Sequence, residues 1–249
     1  ILFKIKTKKK IIYIDEDLSE AKKLFKIKDI DVIIHLASTT NAEASLNNSK
    51  SYFNNNIGCF KNILKYCKKN KSKLIHISST SVYGKQSKIV DENCEKKFLK
   101  PQSPYAKIKL IEEKMLKKST NINYNTFRFG TISGYSKGMR FHTAVNKFCL
   151  NCALNYHIPV WTKALNQYRP YLSLTDAFNS IKFIIDKNLF NKEIYNVLTK
   201  NYTVKNILNF IKCYKKVKVK YVKSKITNQL SYLVQDKKIK SLGFKSKSN

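Results

Sequence analysis

The sequence predicts an α/β fold built on a parallel sheet, and three observations carry that prediction. The runs 32–36 (VIIHL) and 74–78 (LIHIS) are short and almost wholly apolar, as strands buried on both faces must be. They alternate with the segments 52–68 and 105–118, whose apolar residues recur with helical period. The length of 249 residues, 43% of them hydrophobic, is enough to bury a substantial core.

Taken in order, a first strand is expected at 11–14, then the strand at 32–36, the helix 52–68 and the strand 74–78. The helix from Tyr105 follows Pro101-Gln-Ser-Pro104, where proline suits a loop end or a first helical turn but not a helix interior. A strand is expected at 124–129. Beyond Gly134 the pattern loosens into a helix at 139–156, a strand at 158–161, a helix at 175–187 capped by Thr175 or Asp176, and a strand at 193–197. Thr203 is placed to cap a helix at 204–214, and the alternating run 217–222 reads as an edge strand. Internal repeats are absent from the sequence, and the tail after Gly243 is polar.

One constellation carries chemistry. Tyr105 and Lys109 stand four residues apart on a helix and so share a face, where an ammonium stabilises a nearby phenolate. A free phenol, with its pKa near ~10, is a poor base at neutral pH, and the Lys109 charge is expected to draw Tyr105 toward the operating pH. Ser79, at the end of a strand, would hold the same reacting hydroxyl.

The residues 77–84 (ISSTSVYG) and 103–109 (SPYAKIK) resemble the extended short-chain dehydrogenase/reductase family, in particular its nucleotide-sugar epimerases and dehydratases. The resemblance extends to 31–37 (DVIIHLA), similar to the family's fourth strand, and to 56–64 (NIGCFKNIL), similar to its Asn-Val-x-Gly-Thr-x-Asn helix with Cys59 in place of Gly. Residues 128–134 (RFGTISG) and 169–176 (RPYLSLTD) are similar to its sixth strand with the loop that follows and to its Arg-x-Tyr-x-x-Val-x-Asp motif.

This resemblance implies a Rossmann-like, doubly wound parallel sheet with a smaller C-terminal substrate lobe, divided as 1–134 and 135–249, the second part interleaved with the last Rossmann elements. It implies NAD as cofactor, without separating NAD from NADP. Cofactor contacts would come from Asp17 at the adenine, Leu18, Leu36, Ala37 and Asn56, with Tyr105 and Lys109 at the nicotinamide half. A bound oxidised nicotinamide would help Lys109 lower the Tyr105 pKa. Substrate contacts to a nucleotide-diphospho-sugar would come from Thr80, Arg140, His142 and Arg169. The helices 52–68 and 105–118 would pair across a homodimer. No glycine precedes Gly58, whereas the family opens on a strand, a glycine-rich turn and a helix. The chain is therefore expected to lack its first βαβ unit and to be N-terminally incomplete.

The formal net charge of +33 would ordinarily suggest nucleic acid or an anionic membrane. Of the 49 basic residues only Arg128, Arg140 and Arg169 are arginines, and the lysines are spread over every segment, so neither partner is expected. Where Lys is the default cation, a retained Arg points to bidentate anion binding, with a structural carboxylate partner as the alternative for Arg128. The six cysteines form no second CxxC and have no nearby His pair, so neither a metal site nor a disulfide framework is expected. With no apolar run of ~20 residues and no signal-peptide core at the start, the expected location is cytoplasmic. His35 and His76 read as satisfied core histidines, and Gly130, Gly134 and Gly138 as sites of close approach or tight turns.

The reaction is argued from Thr80 and Ser81. Family 4,6-dehydratases place Asp-Glu there and the sugar-acid decarboxylases a Glu at the second position, whereas two hydroxyls suit a 4-epimerase that oxidises the sugar transiently. A nucleotide-sugar reductase of the same fold and a non-catalytic remnant are the two alternatives.

Overall fold

The computed structural model describes residues 11–223 and 231–248. Its elements in order are β1 (Val32–His35), α1 (Ser49–Asn70), β2 (Lys73–Ser79), α2 (Pro104–Lys117), β3 (Tyr124–Phe129), β4 (Thr131–Ser133), α3 (Ala144–Ala153), β5 (Ile158–Trp161), β6 (Tyr168–Ser173), α4 (Leu174–Asp186), β7 (Ile194–Val197), β8 (Lys200–Thr203), α5 (Val204–Lys212), β9 (Val219–Val222) and α6 (Lys237–Ser241).

The main sheet has the order β1-β2-β3-β7, all parallel, with Val32 opposite Lys73, Leu74 opposite Tyr124 and Thr126 opposite Ile194. Parallel neighbours require crossovers, and these put helices on both faces. On one face Phe60, Ile63 and Tyr66 of α1 and Leu116 of α2 pack on Ile33 and Leu74. On the other, Ala177 and Ile184 of α4 and Ile239 of α6 pack on Ile75, Phe127 and Tyr195. This sandwich is the doubly wound arrangement.

A second body is built on β4-β6-β8 and on the parallel pair β5-β9, with its own core of Phe148, Cys152, Val160, Tyr171 and Leu208. Its β4 lies before residue 134, while β7 and α4 return to the first sheet. The two parts are thus interleaved along the chain. Gly130 makes the junction possible, since a Cβ there would meet the Pro170 carbonyl oxygen at 2.9 Å. Gly134 sits in a turn at positive φ (140°), whereas a Cβ on Gly138 would meet nothing within 4 Å.

Several expectations are corrected. Residues 11–14 form no strand and are exposed, because no neighbouring strand among the described residues offers them a ladder. The helix expected at 139–156 is confined to α3. The cap of α4 is Ser173, whose side chain accepts from the Asp176 N–H, while the Asp176 carboxylate is used by Thr199 at 2.7 Å and by the Lys247 N–H at 2.8 Å. Thr203 caps α5 as expected, reciprocally with Asn206. Among the described residues no helix is long and apolar enough to cross a membrane.

Candidate active site

The site forms at the C-terminal edge of the main sheet, where parallel strands end together. Ser79 is the last residue of β2 and caps the short 3-10 turn Thr80–Tyr83, its hydroxyl accepting from the Ser81 N–H at 3.2 Å and the Ser81 hydroxyl at 2.9 Å. Ser103 caps α2 by accepting from the Ala106 N–H, and Pro104 fills the first turn. Tyr105 therefore enters at the start of the helix, with its N–H donating to the Ser45 hydroxyl at 3.3 Å. The Ser79 side chain reaches close enough to its phenol to lower the phenol's pKa, and the Lys109 Nζ lies 5.9 Å from its ring centre. The three residues read from the sequence converge.

Lys109 lowers the Tyr105 pKa as expected, but it does not dominate. Burial pushes the Tyr105 phenol above its ordinary pKa, outweighing the lowering by Lys109, Arg140 and Ser79. Part of the reason is Glu112, absent from the sequence reading. Its Oε2 accepts from Lys109 Nζ at 2.8 Å and faces His76 Nε2 at 2.9 Å, and the carboxylate raises the Tyr105 pKa. Lys109 is almost completely buried, so its charge is partly spent on this carboxylate. The spacing of Lys109 and Glu112, three residues apart on one helix, was the available signal.

Arg128 belongs to the framework. Its Nε and Nη2 donate to the two oxygens of Glu113 at 3.0 and 2.7 Å, and its Nη1 donates to Tyr83 Oη at 3.0 Å. Glu113 also accepts from the Ser78 hydroxyl at 2.6 Å. The carboxylate alternative for this arginine is the correct one. Thr80 is similarly internal: the residue is 2% exposed, and its hydroxyl donates to the Phe129 carbonyl at 3.2 Å and lies 3.5 Å from Tyr232 Oη. In this arrangement the hydroxyl is bonded inward.

Asn56 is fully buried, and its amide accepts from the Thr39 N–H at 2.8 Å and donates to the Thr39 carbonyl at 3.1 Å. It shapes the loop after β1 and offers no side-chain group outward. Leu36 and Ala37, in that loop, are exposed one strand over from Ser79. Asp17 and Leu18 lie over α1: the Asn62 side chain donates to the Leu18 carbonyl at 2.9 Å, and Asp17 is exposed with its carboxylate accepting from the Ser19 N–H at 2.8 Å. That bond lowers the Asp17 pKa.

Arg140 is exposed, donates to the Thr40 hydroxyl after β1 and acts on Tyr105 electrostatically. His142 beside it is exposed, its pKa lowered by partial burial and by Arg140. Burial raises the pKa of Tyr171 and of Tyr232, and Arg169 on β6, half-buried, offsets part of the rise at each. Tyr232, buried between Thr80 and Arg169, was not found from the sequence, since only the fold brings it there. His76 is satisfied as expected, facing Thr126 Oγ1 at 3.3 Å with its second nitrogen, but both ring nitrogens of buried His35 lack a partner among the described residues.

The exposed Leu36 and Ala37 and the Tyr105 hydroxyl beside Lys109 are the groups that could meet the nicotinamide end of a dinucleotide. Among the described residues no cluster of His, Cys, Asp and Glu is arranged to hold a metal ion.

A model of the NAD dependent epimerase/dehydratase family matches residues 4–197. The chain is 26% identical over 230 residues to an Arabidopsis thaliana trifunctional UDP-glucose 4,6-dehydratase/UDP-4-keto-6-deoxy-D-glucose 3,5-epimerase/UDP-4-keto-L-rhamnose-reductase. That match takes in 88% of this chain and 34% of the plant protein, so the chain spans about a third of its relative's length. An uncharacterised protein of Methanocaldococcus jannaschii is 30% identical over 230 residues, 89% of this chain and 69% of that one. The fold is shared with the Thermus thermophilus UDP-glucose 4-epimerase complex with NAD, at a TM-score of 0.78 and 19% identity, covering 93% of this chain and 76% of that chain. The chain belongs to the NAD dependent epimerase/dehydratase family.

Proposed function

We propose that this protein epimerises a nucleotide-diphospho-sugar, inverting C4 through transient oxidation. The observation that carries the reading is the meeting of Ser79, Tyr105 and Lys109, flanked by the Thr80 hydroxyl, bonded to the Phe129 carbonyl, and the Ser81 hydroxyl, bonded to Ser79. NAD, when bound, supplies a hydride acceptor and returns the hydride. Tyr105 Oη takes the proton of the sugar hydroxyl and later gives it back, which requires its raised pKa to fall in the loaded site. Ser79 orients that hydroxyl. Lys109 stabilises the phenolate, and its remaining N–H groups would hold the cofactor. Elimination or decarboxylation would need a further acid or base, and Thr80 and Ser81 cannot supply a carboxylate. Arg169 and Arg140 are the cations of the substrate side, suited to a diphosphate by their planar fork. Leu36 and Ala37 remain the cofactor shelf, with Asp17 and Leu18 toward the adenine.

The test is incubation of the protein with NAD and UDP- or dTDP-hexoses, followed through the sugar anomeric protons by NMR. The reading expects the C4 epimer, and loss of ~10²–10⁴-fold in rate for Tyr105→Phe. Net oxidation of reduced NADP with a keto-sugar would instead favour a reductase.

A further inference from the structure

The buried cluster beneath Tyr105 contains more charge than proton transfer by Tyr105 and Lys109 requires. Glu112 has no solvent exposure, and the Lys109 side chain is 3% exposed. An ammonium removed from water to that degree needs a countercharge, because its desolvation otherwise drives off the proton. Among the described residues Glu112 is the carboxylate in contact with Lys109, at 2.8 Å, and the adjacent Glu113 is taken by Arg128 at 2.7 Å.

The same Glu112 oxygen faces His76 Nε2 at 2.9 Å, while Oε1 has no partner among the described residues. One carboxylate thus serves two nitrogens from different elements, Lys109 on α2 and His76 on β2. Two cations on a single buried carboxylate would leave a net positive charge in the core. Burial and Lys109 both depress the His76 pKa, so the imidazole is neutral. Its Nε2–H donates to Glu112, and Nδ1 is left to accept from the Thr126 hydroxyl at 3.3 Å. Among the described residues the other charged or titratable groups facing the cluster are His35 on β1, Cys59 on α1, Tyr105 and Glu113 on α2, and Arg140, which acts on Tyr105. The one carboxylate among them, Glu113, is bonded to Arg128.

We propose that Glu112 is a positioning residue of this site, the shared anchor that holds Lys109 charged and fixed against the Tyr105 ring with neutral His76 as co-donor. Its importance for turnover rests on the proton-transfer reading of Tyr105 and Lys109. A residue that only bolted α2 to β2 would be indifferent to the charge on Lys109, and that distinguishes the two roles.

The experiment is side-chain ¹⁵N–¹H NMR of protein labelled at lysine and histidine. The wild-type chain should give a slowly exchanging ammonium signal, assigned by its loss in Lys109→Arg, together with a neutral His76 protonated at Nε2. In Glu112→Gln the Lys109 ammonium loses its charged acceptor, so its slowly exchanging signal should be lost. In Lys109→Met the anion is left to His76, which should take a second proton at pH 6. Absence of a charged Lys109 in the wild type, its persistence unchanged in Glu112→Gln, or a neutral His76 in Lys109→Met would each overturn the proposal. If Glu112→Gln does not fold, the wild-type and Lys109→Met spectra decide. Normal turnover by Tyr105→Phe would remove the catalytic reading while leaving these spectra as they are.

Discussion

Removing Glu113 while keeping Arg128 tests the framework behind the site. In Glu113→Leu the guanidinium loses its bonds from Nε and Nη2 and keeps only Nη1 to Tyr83 Oη. The Arg128 side chain is 3% exposed, so water cannot replace the lost carboxylate. Breaking a buried pair in this way costs ~3–5 kcal/mol, a large part of the ~5–15 kcal/mol that stabilises most domains. With a urea m-value toward the upper end of ~1–3 kcal/mol/M, the unfolding midpoint should fall by ~1–2 M. The double variant Glu113→Leu/Arg128→Met removes both charges and should recover most of the loss. A loss below ~1 kcal/mol in the single variant, or a double variant no better than the single, would refute the buried-pair argument.

Other consequences follow from the same geometry. His35 is buried neutral with its pKa lowered from 6.5 to about 3, so its contribution to stability is complete above pH 6.5 and is lost as the pH falls toward 3. His35→Phe should therefore flatten the decline of the melting temperature between pH 6.5 and 4.5 and cost little at pH 7, because neither ring nitrogen has a partner; an unchanged slope would assign the decline elsewhere. Glu112, held down to about 2 despite its burial by Lys109 and His76, should govern a separate loss below pH 4.5, absent from Glu112→Gln. Gly84 has φ of 66° and a Cβ there would meet the Lys100 carbonyl oxygen at 1.9 Å, so Gly84→Ala should lose ~2 kcal/mol or more in urea unfolding. Arg169→Lys should raise KM for a nucleotide sugar, with ~1.5–3 kcal/mol as the upper scale, and leave NAD affinity unchanged; a shift in NAD affinity instead would move Arg169 to the cofactor side.

The parts of the fold legible in the sequence are those whose signal is local. β1 and β2 announce themselves as apolar runs, α1 and α2 by period, and the Thr203 cap by its own residue type. The meeting of Tyr105 with Lys109 is readable because the two share a helix face whatever surrounds them. β4, β6 and β8 were missed because they are short, partly polar and defined by partners far along the chain, such as Thr131 opposite Tyr171 and Arg169 opposite Tyr202. Residues 11–14 show the converse, an apolar run that forms no strand without a neighbour. Thr80 and Asn56 were assigned outward roles because sequence cannot tell a hydroxyl or amide facing a ligand from one bonded to Phe129 or Thr39. For Arg128 the retained fork was read correctly as bidentate, but its anion is Glu113 rather than a phosphate.

The account is tested most directly by a nucleotide hexose carrying deuterium at C4, incubated with the protein and NAD and examined by NMR and mass spectrometry. The proposal predicts a C4-inverted sugar that retains its deuterium, with no net reduced cofactor and a rate ~10²–10⁴-fold lower in Tyr105→Phe. A 4-keto-6-deoxy product, or inversion with the deuterium exchanged for solvent hydrogen, would contradict it.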